Sequence, residues 1–97
     1  MLNKETILET LRHNKPYFEK ELGVISIGLF GSYAKGNQLV DSDVDILVEL
    51  KEPDYHSLIS ILILLEKQLN NKIDLIRKGP HLREKFLSTV ENEIIYA

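Results

Sequence analysis

Between Gly28 and Leu50 the chain reads GLFGSYAKGNQLVDSDVDILVEL, an apolar run that breaks at Gly31 and Gly36 and resumes around Asp41, Asp43 and Asp45. On either side of the break, Val24 to Phe30 and Val44 to Leu50 are rich in β-branched and apolar residues. Both are bounded by glycine or polar loop residues, so they read as buried strands. Between them, Gly31 to Gly36 reads as a tight turn with a short helical segment inside it, and Asn37 to Ser42 as a polar loop.

The rest of the chain supplies helices to cover such strands. Ile7, Leu8 and Leu11 fall at helical spacing within Lys4 to about His13, with Asn3 placed to cap the start. Pro16 is expected to end this helix and open a shorter one over Pro16 to Glu21, with Gly23 as its stop. After a connection at Lys51 to Asp54, Tyr55 to Leu69 has the pattern of a strong helix, halted at Asn70-Asn71. Lys72 to Ile76 reads as a third strand, Gly79-Pro80 as a turn, and His81 to about Asn92 as a last helix using Leu82, Phe86, Leu87 and Val90. The order helix, helix, strand, strand, helix, strand, helix predicts an α/β (α+β) chain, a small mixed β-sheet of three or more strands packed against helices.

Ninety-seven residues fit one domain, 1–97, with a single modest core. The net charge of -3 argues against a protein that binds nucleic acid by covering its phosphates. There is no cysteine, so any metal must be held by oxygen or imidazole. The charged N-terminus lacks a signal-peptide core, and the longest apolar run, Ile61 to Leu65, is far short of the roughly 20 residues that span a bilayer. A cytoplasmic protein without a membrane partner is expected. The helix Tyr55 to Leu69 is apolar on most sides, as for a helix either sandwiched in the fold or covered by a partner.

Residues two apart on a strand share a face, so Asp43 and Asp45 are expected side by side. Two close carboxylates repel unless a cation lies between them, and a hard ion such as Mg²⁺ suits carboxylate oxygen. Asp74, between Ile73 and Leu75 in the third predicted strand, is a candidate third ligand, since an unpaired carboxylate in a core is costly. An aspartate pair at a strand entrance also serves turns and caps. The glycine turn eleven residues before Asp43 favours phosphate chemistry. Gly31 lets the backbone approach a phosphate, N–H groups at the start of a helical segment favour an anion, and Ser32 adds a hydroxyl. Lys35 lies within the turn, either reaching phosphate or solvated on the short helix. Asp41 reads as a loop residue, and His13, His56 and His81 form no ligand spacing.

GSYAKG followed by SDVDILV resembles the signature of the nucleotidyltransferase superfamily that includes DNA polymerase beta, and the small size and later KIDLI look most like its minimal nucleotidyltransferases. The resemblance implies a polymerase-beta-type nucleotidyltransferase fold. It implies that Ser32 contacts the nucleotide triphosphate, with Gly31 supplying the close backbone approach, and that Asp43, Asp45 and Asp74 ligate two Mg²⁺ ions for phosphoryl transfer from ATP. Larger relatives carry a further domain for the acceptor, so here the acceptor is expected on another protein. By resemblance that partner is a HEPN-domain ribonuclease toxin, which the chain, as the antitoxin of a type VII-like toxin–antitoxin pair, adenylylates on a tyrosine. The alternative is an antitoxin that blocks the toxin by contact alone.

Overall fold

The computed structural model describes residues 2–97. Along the chain stand α1 (Lys4–Leu22), β1 (Val24–Phe30), α2 (Gly31–Lys35), β2 (Val44–Leu50), α3 (Tyr55–Leu69), β3 (Ile73–Arg77), α4 (Glu84–Glu93) and β4 (Ile95–Tyr96). The strands form one mixed sheet in the order β3-β2-β1-β4. β1 runs antiparallel to both β2 and β4, while β2 and β3 are parallel and are joined through α3, as a parallel pair requires. The expected mixed sheet against helices is present, and β1, β2 and α3 have the expected bounds.

Both faces of the central strands are covered. Ile27, Leu29, Val44, Ile46, Val48 and Ile73 join Ile7, Leu11 and Phe18 of α1 and Ile61 and Leu65 of α3 in the main core. Phe30 and Leu47 point the other way and meet Val90 of α4, with Ile76, Phe86 and Leu87 packed around them. A strand buried on both faces needs no polar alternation, which explains the nearly continuous apolar runs of β1 and β2.

Three expectations need correction. Pro16 does not divide two helices: α1 is one helix of 19 residues with Pro16 inside it. Interior proline costs roughly 3 kcal/mol, but Ile7, Leu8, Leu11, Asn14 and Phe18 form one buried face that runs past it. Continuing the helix lets Phe18 enter the core and lets Asn14 Nδ2 donate to Gln68 Oε1 on α3 at 2.6 Å. The start of α1 is as read, with the Asn3 side chain accepting from the Thr6 amide at 2.9 Å.

The third strand is Ile73–Arg77, one residue later than Lys72 to Ile76. The last helix begins at Glu84 rather than His81, because residues after Gly79 make a turn in which Leu82 N–H donates to Gly79 C=O at 3.1 Å. After it comes a strand that periodicity could not show. β4 has two residues, Ile95 and Tyr96, paired with Leu29 and Gly28. The approach is close enough that a Cβ on Gly28 would meet Ile94 Cδ1 at 2.7 Å.

α3 buries Ile61, Leu65 and Leu69, but Ile63 remains 60% exposed, near Tyr17 of α1 at 52%. The helix is therefore not sandwiched on all sides. No helix among the described residues is long and apolar enough to cross a membrane.

Leu65 is fully buried between α3 and the sheet. Leu65→Ala is expected to destabilise the chain by about 2–5 kcal/mol, measured as a lower urea midpoint with an unchanged slope.

Candidate active site

The site is assembled by strand register. Phe30, the last residue of β1, lies opposite Asp45 on β2, and Asp45 lies opposite Asp74 on β3. Neighbouring strands lie roughly 4.7–4.9 Å apart, and residues directly opposed across them place their side chains on one face. Asp45 and Asp74 are therefore neighbours on the sheet face that also carries Phe30 and Leu47, the face covered farther along by α4.

Their contact has an electrostatic consequence. The Asp45 carboxyl is pushed up from 3.8 to about 6, first by burial, next by the charge of Asp74 and a hydrogen bond with it, then by the charges of Asp43 and Glu93. Two carboxylates this close, with no cation between them, are relieved by keeping a proton on one. Asp74 itself is exposed, on a strand at one edge of the sheet. This corrects the expectation that it sits inside a buried strand; a charge there carries little desolvation cost.

Asp43 comes directly before β2, and its Oδ2 lies 4.0 Å from Lys72 Nζ. The starts of β2 and β3 are tied by the Val44 amide donating to Lys72 C=O at 3.0 Å. Asp43 is thus at the same end of the sheet as the Asp45–Asp74 pair, turned toward a lysine. Asp41 is exposed in the preceding loop. Among the described residues no three acidic or histidine side chains are already gathered as a metal cage. Asp45 and Asp74 nonetheless suit a hard divalent ion, being oxygen donors whose mutual repulsion such an ion would relieve.

Above Asp45 lies the glycine turn. Gly31 begins α2 at φ 75°, a conformation open to glycine and strained for other residues. A Cβ there would also collide with the Asp45 carboxylate, so glycine is required twice over. The turn closes with Gly36 at φ 78°, and Ser32 C=O accepts from the Asn37 amide at 3.1 Å. Tyr33 and Ala34 are buried, which leaves Ser32 and Lys35 as the less buried residues that follow Gly31 in α2.

One functional candidate escaped the sequence reading. Glu93, the last residue of α4, accepts a hydrogen bond from the Gly31 amide at 3.1 Å through Oε1, and its Oε2 lies 3.5 Å from Lys35 Nζ. Nothing in the local pattern distinguishes Glu93 from the other acids of α4; only the return of the chain to β1 brings it to the turn.

A glycine turn over a carboxylate pair at one end of a mixed sheet is the arrangement that the sequence resemblance implies. Residues 5–97 match the family described as Nucleotidyltransferase domain; the chain belongs to that family, among its minimal members, and is a nucleotidyltransferase. Among its relatives is the protein adenylyltransferase MntA of Thermococcus cleftensis, 38% identical over 97 residues that cover 99% of this chain and 97% of that one. A solved structure named provisionally as a minimal nucleotidyltransferase superposes with a TM-score of 0.79 at 26% identity, over 97% of this chain and 95% of the other. A toxin–antitoxin crystallised with AMP-PNP gives a TM-score of 0.68 at 27% identity, over 98% of this chain and 72% of that one.

Because the Asp45 carboxyl is raised in the folded state, the native chain binds more protons than the unfolded chain between about pH 4 and pH 6. Metal-free stability should therefore fall as pH rises through that window. Asp45→Asn removes the repulsion, so it should raise the melting temperature at pH 7.5 more than at pH 4, as read by calorimetry in EDTA.

Proposed function

We propose that this chain is a Mg²⁺-dependent protein adenylyltransferase that transfers AMP from ATP to a hydroxyl, a tyrosine by the sequence resemblance, on a HEPN-domain toxin for which it is the antitoxin. The observation that carries the reading is the pairing of Asp45 with Asp74 across β2 and β3, with the Asp45 carboxylate directly against Gly31. It supplies a site that gains from a divalent cation next to a turn that admits phosphate. The relative from Thermococcus cleftensis supports protein adenylylation as the activity, and the toxin–antitoxin with AMP-PNP supports both a nucleotide and a protein partner.

In this reading Asp43, Asp45 and Asp74 would hold two Mg²⁺ ions. Asp43 would exchange its Lys72 contact for the metal, a small loss because Lys72 is largely exposed and an exposed pair contributes about 0–1 kcal/mol. Bound there, the ions would supply charge neutralisation for the triphosphate and a lowered pKa for the acceptor hydroxyl. Gly31 admits the triphosphate close to the backbone, Ser32 Oγ donates to it, and Lys35 balances its charge. The acceptor oxygen forms its bond to the α-phosphorus as the bond to the pyrophosphate oxygen breaks. Asp74, exposed at the edge strand, takes the hydroxyl proton, and pyrophosphate leaves with the electron pair.

The acceptor comes from the partner. Apolar surface left by α1 and α3 at Tyr17, Leu22, Ile63 and Leu64 is consistent with a protein neighbour, although it lies on the face of the sheet away from the aspartates.

Incubation with Mg²⁺, α-labelled ATP and the HEPN-domain partner that this reading requires should place label on that partner. Asp43→Ala, Asp45→Asn and Asp74→Ala should each abolish it, whereas Ser32→Ala should chiefly raise the KM for ATP. Full neutralisation of the toxin by Asp43→Ala with no label transferred by the wild type would replace transfer with inhibition by contact. Separately, Mg²⁺ should raise the melting temperature of the wild type at pH 7.5 and have little effect on Asp45→Asn.

A further inference from the structure

Glu93 touches both ends of α2 with one carboxylate, the Gly31 amide through Oε1 and the Lys35 ammonium through Oε2. Its backbone is held on both sides. Val90, one turn earlier in α4, is 2% exposed against Phe30 and Leu47. The next residue, Ile94, packs onto Gly28, and β4 then pairs with β1. The carboxylate is therefore delivered to the turn from a fixed platform, and its side chain is only 21% exposed.

The two contacts differ in durability. Lys35 is 53% exposed, so its attraction to Glu93 is screened and it can leave for a phosphate. The hydrogen bond to Gly31 is charge-assisted and satisfies a main-chain donor at a half-buried junction where the backbone already departs from ordinary geometry. Gly31 is consequently gripped on two sides, with Asp45 against its Cα and Glu93 on its N–H.

We infer that Glu93 is a positioning residue for nucleotide transfer: it braces the Gly31 turn so that Ser32 faces the triphosphate, and keeps Lys35 beside the site until phosphate takes over that charge. The inference rests on the reading of Gly31, Ser32 and Lys35 as the triphosphate turn. Glu93 touches neither the nucleotide nor the reacting atoms in this scheme and acts through the backbone. Its removal should therefore appear mainly in nucleotide affinity and KM, with a smaller change in kcat.

Two measurements on the full chain test it. Without metal or nucleotide, amide exchange followed by NMR should show Gly31 exchanging roughly tenfold faster or more in Glu93→Ala, with the β1 and β2 core amides unchanged. Glu93→Gln, which keeps an oxygen acceptor, should recover most of that protection. In the second measurement, affinity for Mg²⁺–AMP-PNP should fall roughly tenfold in Glu93→Ala and largely recover in Glu93→Gln. If the alanine variant does not fold, Glu93→Asp, one methylene too short to reach Gly31, takes its place.

Unchanged Gly31 exchange in Glu93→Ala overturns the inference. So does tighter nucleotide binding by both variants, which would make Glu93 a competitor for the turn. A wild type that binds no Mg²⁺–AMP-PNP would refute the nucleotide reading, while the exchange measurement would still decide whether Glu93 braces the turn.

Discussion

The register of β2 between its two neighbours is the constraint on which the site depends. Asp45 is opposite Phe30 in the antiparallel pair and opposite Asp74 in the parallel pair, so one backbone alignment sets both the acidic pair and its distance from the glycine turn. Slipping β2 by a single residue would send Asp45 into the core and Ile46 out to the site face. The burial of Val44, Ile46 and Val48 among α1 and α3 makes that slip prohibitive. Hydrophobic packing on one face thus holds the electrostatics on the other.

That electrostatic arrangement is unfavourable by itself. Asp45 is partly buried and lies near Asp74, Asp43 and Glu93, and burial first, then those like charges, push its carboxyl up. Lys72 and Lys35 stand at the rim, each near one carboxylate outside the Asp45–Asp74 pair. Positive charge is near the site but not between the two central oxygens. A fold that maximised stability alone would have little reason to place them together, which is the pattern expected where chemistry rather than packing selects the residues.

Much of this was legible beforehand. β1, β2 and α3 announce themselves through apolar runs and helical spacing, and the glycine and aspartate spacing carried the family. Other features were hidden for identifiable reasons. Local propensity alone makes Pro16 a helix break, and only the core that Phe18 enters outweighs it. β4 is too short to show a period. Asp74 stands out in the sequence as a charge between Ile73 and Leu75, and the fold accommodates it because β3 is at an edge of the sheet.

The order of the central elements and the presence of a glycine turn beside acidic residues are local properties, set by side-chain size, backbone permissiveness and spacing along the chain, and the sequence by itself determined them. Tertiary structure decided which carboxylates meet. Asp45 and Asp74 are 29 residues apart and are joined by the β2–β3 register, and Glu93 is 62 residues from Gly31 and arrives only because α4 folds back across the sheet. Contacts of that kind depend on the packing of the whole chain, so no window of sequence contains them.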